Sequence, residues 1–326
     1  DGLRLATWSG RPTAPSKTSS VRKKITGQLS DWVHEIPTCD DCDMDDDGSR
    51  ISPTAHYTGQ TWVQHAMSDP SLATPEGRLL YTGLRPIHWT LTLLGQPTLD
   101  GFLLARHRTI DAYLTEAIED GSVSQVIELA CGLSPRGLRF HRRYGDRITY
   151  IEGDLPHMAA LKRQKLEQAG SLDENHRVVV LDALADEGPN SLAALTSAMD
   201  PNRGTALVTE GLINYFDQST AEAMFSRFAG ALAQFPNGMY LTDLYLNRVT
   251  NAPLIRAFSG VLSVFVRGSV YTFYPSTEAA ENALVGAGFS FASVGSAADH
   301  PASATAKRDP GASLVWIARA TTSSTN

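Results

Sequence analysis

From Gln60 to about Ala117, apolar residues return every three or four positions, the period of a helix that buries one side. Phe102, Leu103, Ala105, Ile110, Tyr113, Leu114 and Ala117 fall roughly on one such face. The pattern changes at Val123. Short apolar runs at 124–130, 147–153, 177–182, 204–210 and 238–244, bounded by Gly, Asp and Pro, alternate with helical stretches near 136–144, 156–169, 190–199 and 218–234. Strands of this kind alternating with helices predict a parallel sheet covered on both faces. An apolar segment around 252–270 predicts an inserted helix. A helix over 276–287 ends at Gly286 and Gly288. Two last strands follow near 289–294 and 312–319. The predicted fold class is α/β, a doubly wound, seven-stranded, mostly parallel, Rossmann-like sheet with an N-terminal helical cover.

The expected organisation is a flexible tail and acidic loop over 1–50, a helical cover over 51–120, and a ligand-binding core over 121–326 with an inserted cap near 245–275. Residues 1–25 are rich in Ser, Thr, Pro and basic residues and lack a periodic apolar pattern. The net charge of −7 argues against a broad basic surface for nucleic acid, so no nucleic-acid partner is expected. The 3 cysteines are too few for a disulfide framework, which points to a reducing, cytoplasmic setting. There is no run of 18 apolar residues and no basic stretch leading into an apolar one at the start, so neither a membrane span nor a secretory leader is expected.

Doubly wound sheets bind ligands at the carboxyl ends of their strands. The first predicted strand ends Glu128-Leu-Ala-Cys-Gly132, the second Glu152-Gly-Asp154, the third Leu181-Asp-Ala183 and the fourth Thr209-Glu-Gly211. Small residues at Ala130 and Gly132 allow a ligand close to the backbone. Acidic groups at successive ends accept from a ribose diol or an adenine amino group, and attract cationic groups. A dinucleotide brings a pyrophosphate instead, which needs a glycine-rich turn at a helix N-terminus. Here the G-x-G-x-x-G frame reads Ala130, Gly132, Pro135, so a nicotinamide cofactor is disfavoured. The bland alternative for Asp154 or Asp182 taken alone is a helix cap.

The chain resembles the leucine carboxyl methyltransferase family and its bacterial polyketide O-methyltransferase-like relatives, which have the class I methyltransferase fold. The resemblance is carried by Ile51-Ser-Pro-Thr-Ala55, Ala105-Arg-His-Arg-Thr-Ile-Asp111, Val126 to Arg139, Ile151-Glu-Gly-Asp-Leu-Pro156 with Lys162, Asp182, and Thr209-Glu-Gly-Leu-Ile-Asn-Tyr-Phe216. It implies S-adenosylmethionine as cofactor, with S-adenosylhomocysteine as product, and transfer of methyl to oxygen on a small-molecule carboxylate or hydroxyl. A protein C-terminal carboxyl methyltransferase and a non-catalytic binder of the same cofactor are the alternatives. The implied cofactor residues are Arg106 for the methionyl carboxylate, Gly132 and Ala130 beneath the methionyl group, and Asp154 for the ribose, with Glu152 as runner-up. Asp182 and Ala183 would meet the adenine, and Glu210 the ammonium. The family usually has Gly where Ala130 stands and Asp-Thr where Ser134-Pro135 stands.

Other signals add little. Asp43-Met-Asp-Asp-Asp-Gly48 matches half of a calcium loop, but Arg50 and Thr54 break the rest, so a solvated acidic loop is the reading. Cys39-x-x-Cys42 with His34 and His56 lacks the spacing of a zinc site, and no metal is expected. His65, His88 and His107 flank the expected entrance, and His65 and His107 are candidate bases for a hydroxyl acceptor. No residue is assigned as catalytic. Trp62, Trp89, Tyr245, Tyr271 and Tyr274 are candidates for an apolar acceptor pocket, with core packing the plainer role.

Overall fold

The structure, a computed structural model, describes residues 53–247, 270–304 and 309–323. The expected tail and acidic loop, including Cys39 and Cys42, and most of the expected cap lie outside the described residues.

The long helical pattern before Val123 resolves into α1 (Pro53–Gln64), α2 (Pro75–Leu93) and α3 (Leu99–Glu119). Local chemistry sets the breaks. The Thr74 hydroxyl accepts from the Gly77 amide and Pro75 opens α2; the Thr98 hydroxyl likewise accepts from Gly101 to start α3. Ser or Thr at the cap satisfies an amide that has no partner within the helix, and Pro at the first position loses nothing by lacking one.

Then come β1 (Gln125–Leu129), α4 (Arg136–Tyr144), β2 (Thr149–Asp154), α5 (Pro156–Gln168), β3 (His176–Val180), α6 (Leu192–Ser197), β4 (Thr205–Thr209), α7 (Gln218–Leu232), β5 (Gly238–Leu244), α8 (Thr277–Gly286), β6 (Phe291–Ser296) and β7 (Trp316–Thr321). The seven strands form one sheet in the order β3-β2-β1-β4-β5-β7-β6. β1 to β5 are parallel, and β7 runs antiparallel between β5 and β6. The predicted doubly wound sheet is the one observed. The last strand starts later than predicted. Asp309 accepts from the Gly311 amide and Pro310 sets a 3₁₀ turn through Leu314, so extended backbone begins only at Trp316.

Alternation along the strands builds two cores, because successive side chains face opposite ways. Val126, Ala206, Val208, Met239 and Leu241 pack with α3 residues Phe102, Ile110 and Leu114 on one face. Ile127, Leu129, Leu207 and Tyr240 pack with α7 residues Phe225 and Phe228 on the other. The same alternation puts Glu128 on the α3 side, two residues on from Val126. That places a carboxylate in the layer between the sheet and α3, where Arg136 and Asp111 are also buried. Since β1, β2, β4 and β5 are parallel, their carboxyl ends share one edge, with the order reversing around β1 and β4.

Candidate functional site

At this edge lies a cavity of about 250 Å³. Its floor comes from Glu128 to Ser134 after β1, its sides from Asp154 to Met158 and from Glu210 to Leu212, and its cover from Thr54 to Trp62 on α1 and from Phe102, Leu103 and Arg106 on α3. Of the residues singled out from sequence, Arg106, Ala130, Gly132, Asp154 and Glu210 are brought together in this lining. Asp182 and Ala183 are not part of it. Asp182 turns its carboxylate to the Leu184 amide at 2.8 Å, the local turn contact that an Asp favours.

The floor is a tight turn. The Ser134 amide donates to the Cys131 carbonyl at 2.9 Å. Ala130 has φ 55° and Gly132 φ 49°, in the left-handed region. Gly132 adopts this freely. Ala130, standing where the family usually has Gly, holds a conformation that costs an L residue with a Cβ about 1–2 kcal/mol. Pro135, in place of Thr, does not disturb the turn and leads into α4 with φ −85° and ψ 0°.

Asp154 is aimed by this turn. One oxygen accepts from the Gly132 amide at 2.7 Å and the other from Leu155 at 2.8 Å. Each oxygen keeps a lone pair for a ligand hydroxyl. Burial pushes its carboxyl above the usual Asp range, partly offset by the two amides.

Arg106 is held from two sides. Its Nε donates to Glu210 Oε1 at 2.9 Å, and its Nη1 to Asp243 Oδ2 at 3.1 Å and to the Tyr245 hydroxyl at 3.2 Å. Its Nη2 has no hydrogen bond among the described residues. The left-handed Gly211, φ 71°, makes room for it, since a Cβ there would stand 3.1 Å from Arg106 Nη1. The Gly211 amide donates to Asp243 Oδ1 at 2.6 Å, which ties the β4 loop to β5.

Glu210 continues into a buried network. Its Oε2 accepts from Arg136 Nη2 at 2.5 Å and lies 2.8 Å from His107 Nδ1. Arg136, fully buried, also donates to Glu128 at 2.5 Å and to Asp111 at 2.6 Å. Arg139 reaches the other Asp111 oxygen at 2.6 Å. The Tyr150 hydroxyl donates to Glu128 at 2.8 Å. Burial alone would raise the Glu210 carboxyl; His107, Arg136 and Arg106 outweigh it and hold it well below its ordinary value. Glu210 is therefore ionised at neutral pH.

The other candidates sort plainly. Glu152 does not line the cavity. It is fully buried between Lys162 at 2.5 Å and His176 at 2.7 Å. His107 is buried under Trp62, with ring centroids 4.4 Å apart, and is locked in the network. His65 sits with Asp100 at 2.7 Å outside the lining, and His88 is 4.0 Å from the same Asp. Neither candidate base meets the cavity. Trp62 and Tyr245 line it; Tyr274 is core, while Trp89 and Tyr271 are exposed. His56 contacts Thr74 at 2.9 Å.

Sequence reasoning missed Arg136, Asp243 and the structural use of Glu128 and His107. A charged residue in the apolar run Val126-Ile-Glu-Leu129 was a usable signal for Glu128. No local signal marks Arg136 as buried, because its partners come from three separate elements, α3, β1 and the loop after β4.

The leucine carboxyl methyltransferase family model matches residues 86–229. That stretch holds Arg106, the floor turn, Asp154 and Glu210, and the resemblance drawn from the sequence is borne out there. The chain is similar to a candidate S-adenosyl-L-methionine-dependent methyltransferase of Rhodococcus jostii, 33% identical over 136 residues, 42% of this chain and 45% of that protein. It is also similar to one of Mycobacterium sp. strain KMS, 35% identical over 143 residues, 44% of this chain and 45% of that protein. The matches thus span less than half the length of these relatives. Among solved structures, a candidate methyltransferase from Thermobifida fusca superposes with TM-score 0.55 at 14% identity, covering 84% of this chain and 96% of that one. A DUF574 family protein from Streptomyces avermitilis gives TM-score 0.57 at 12% identity, covering 83% and 98%. These likenesses bear on the fold. Among the described residues, no helix is long and apolar enough to cross a membrane.

Proposed function

We propose that this protein is an S-adenosylmethionine-dependent O-methyltransferase acting on a carboxylate or hydroxyl of a small molecule. The observation that carries the reading is the charge pattern of the cavity: the carboxylates Glu128, Asp154 and Glu210 line it with the single guanidinium of Arg106. An acid-rich cavity suits a ligand of net positive charge, and the cofactor combines a sulfonium, an ammonium and one carboxylate. A pyrophosphate would meet repulsion here.

The residues fit the cofactor group by group. Arg106 would present Nη2 to the methionyl carboxylate while Glu210 and Asp243 hold its plane. Asp154 would accept from the ribose hydroxyls with the oxygens already aimed by Gly132 and Leu155. Glu210, ionised, would face the ammonium. The floor turn at Ala130 and Gly132 would lie beneath the methionyl chain. Asp182 and Ala183, on β3 beyond the lining, are proposed for the adenine end.

When bound, the cofactor supplies a methyl group activated by its sulfonium. The protein's contribution is alignment and the exclusion of water. Trp62, Phe102 and Leu103 supply an apolar cover over the floor. A carboxylate acceptor is already ionised and needs no base; for a hydroxyl acceptor the histidine of the lining is His157, since neither His65 nor His107 enters it.

The test is transfer of a labelled methyl group from S-adenosylmethionine to panels of small carboxylic acids, phenols and alcohols, and to proteins with free C-termini. Base-labile label on a small acid, or base-stable label on a phenol or alcohol, supports the reading. Label on protein only would move it to a protein carboxyl methyltransferase. Binding without transfer to any acceptor would leave a binder.

A further inference from the structure

The floor turn is held from the core side by a charged group that the cofactor contacts above do not use. Lys162 of α5 is fully buried and is not part of the cavity lining. Its Nζ donates to the Ser134 carbonyl at 2.6 Å and to the Gly132 carbonyl at 3.3 Å. It also pairs with Glu152 Oε2 at 2.5 Å. Glu152 is fixed in turn by His176, whose other ring nitrogen contacts the Ser171 carbonyl at 2.6 Å. A buried ammonium is costly unless it is paired and hydrogen-bonded, and here it has a fully buried carboxylate and two half-buried carbonyls as partners. The contacts therefore define where Lys162 must sit.

The consequence lies in the peptide between Gly132 and Leu133. It is the central peptide of the turn closed by the bond from the Ser134 amide to the Cys131 carbonyl. The described chain has no cis peptides, and in a trans peptide the carbonyl and the amide point in opposite directions. With the Gly132 carbonyl drawn to Lys162, the Leu133 N–H faces away from the core, on the side where Leu133 lines the cavity. That amide has no hydrogen-bond partner among the described residues. A flip of this peptide would carry Leu133 to positive φ, which costs a residue with a Cβ about 1–2 kcal/mol, and Lys162 adds a charge-assisted hold on the same orientation.

We infer that Lys162 is a positioning residue, which locks the 132–133 peptide so that the Leu133 N–H is presented to the carboxylate of an amino-acid-bearing ligand, alongside Arg106. The inference rests on the functional reading above and extends it to a residue outside the cavity. A flipped peptide would instead turn the Gly132 carbonyl toward that carboxylate, replacing attraction with repulsion.

Two ligands separate this role from general stability. S-adenosylhomocysteine carries the amino-acid carboxylate; 5′-methylthioadenosine keeps the adenine, ribose and sulfur but lacks it. In calorimetric titrations, Lys162→Met is expected to weaken S-adenosylhomocysteine binding tenfold or more, while 5′-methylthioadenosine stays within twofold of wild type. Equal weakening of both, or no change in either, would overturn the inference. Should Lys162→Met not fold, the wild-type Leu133 amide resonance provides the measurement. It is expected to shift downfield on adding S-adenosylhomocysteine and to stay in place with 5′-methylthioadenosine; the same response to both would overturn the inference. Wild-type protein that ignores S-adenosylhomocysteine would overturn the functional reading as well, whereas wild-type binding with an unaffected variant would overturn this inference alone.

Discussion

Replacing Arg136 by Met removes the one cation that touches three buried carboxylates, and the structure says where the cost falls. Asp111 keeps Arg139 at 2.6 Å. Glu210 keeps Arg106 at 2.9 Å and His107 at 2.8 Å. Glu128, only 1% exposed, keeps only the Tyr150 hydroxyl at 2.8 Å among the described residues. The loss is therefore concentrated on Glu128, which becomes a buried charge without a counter-charge. Removing one partner of a buried pair typically costs about 3–5 kcal/mol, and that is the expected destabilisation of Arg136→Met. Glu128→Gln alone should cost less, about 1–3 kcal/mol, because Arg136 retains Asp111 and Glu210. In the Arg136→Met background, Glu128→Gln should be neutral or stabilising, since it discharges the stranded carboxylate. The two substitutions should thus couple by about 1–3 kcal/mol. Urea unfolding of the four proteins at pH 7, followed by fluorescence, measures the cycle. A destabilisation by Arg136→Met below about 1 kcal/mol, or additivity of the two changes, would show that Arg136 does not neutralise Glu128.

Three other outcomes follow from the same geometry. Ala130→Gly should stabilise the fold by about 0.5–1 kcal/mol, because relief of the φ 55° strain exceeds the entropy that Gly adds to the unfolded chain; thermal unfolding checks it, and a lower midpoint would count against the strain. Arg106→Ala should raise the dissociation constant for S-adenosylhomocysteine at least tenfold in calorimetry, and an unchanged value would remove Arg106 from its proposed role. Glu210 has a folded pKa well below its ordinary 4.5, so the unfolded state binds its proton first and the stability it contributes is present above about pH 4.5 and lost as pH falls through the folded value. Over that acid range the unfolding free energy of wild type should fall more steeply than that of Glu210→Gln; parallel curves would contradict the assignment.

The sheet was legible because its signals are local. Five apolar runs separated by helical stretches pointed to a parallel sheet, and the carboxyl ends of its strands led to Asp154, Glu210 and the turn at Gly132. The helical breaks at Thr74 and Thr98 were written in Ser/Thr and Pro chemistry, but the apolar period ran across them and hid them. β7 starts later than its apolar run suggests because the turn made by Asp309, Pro310 and Gly311 takes up Ala312 to Leu314. At the site, the residues that bear on a ligand were more readable than those that hold them. Arg106 stood out in its motif, whereas its clamp by Asp243, and the burial of Arg136 among carboxylates from α3, β1 and the β4 loop, depend on contacts between segments far apart in the chain. Glu152 shows the converse. By position it rivalled Asp154, two residues on along the same strand, yet its surroundings are Lys162 and His176, and a charged pair in the core is invisible to a rule about strand ends.

The acid-rich cavity around Arg106 is proposed to take a cationic sulfonium nucleoside and not a dinucleotide. Calorimetric titration of the whole protein with S-adenosylmethionine, and separately with NAD, tests it most directly. The expected result is saturable binding of S-adenosylmethionine at one site per chain, weakened by Arg106→Ala, and no heat with NAD beyond dilution. Tight NAD binding with no response to S-adenosylmethionine would contradict it.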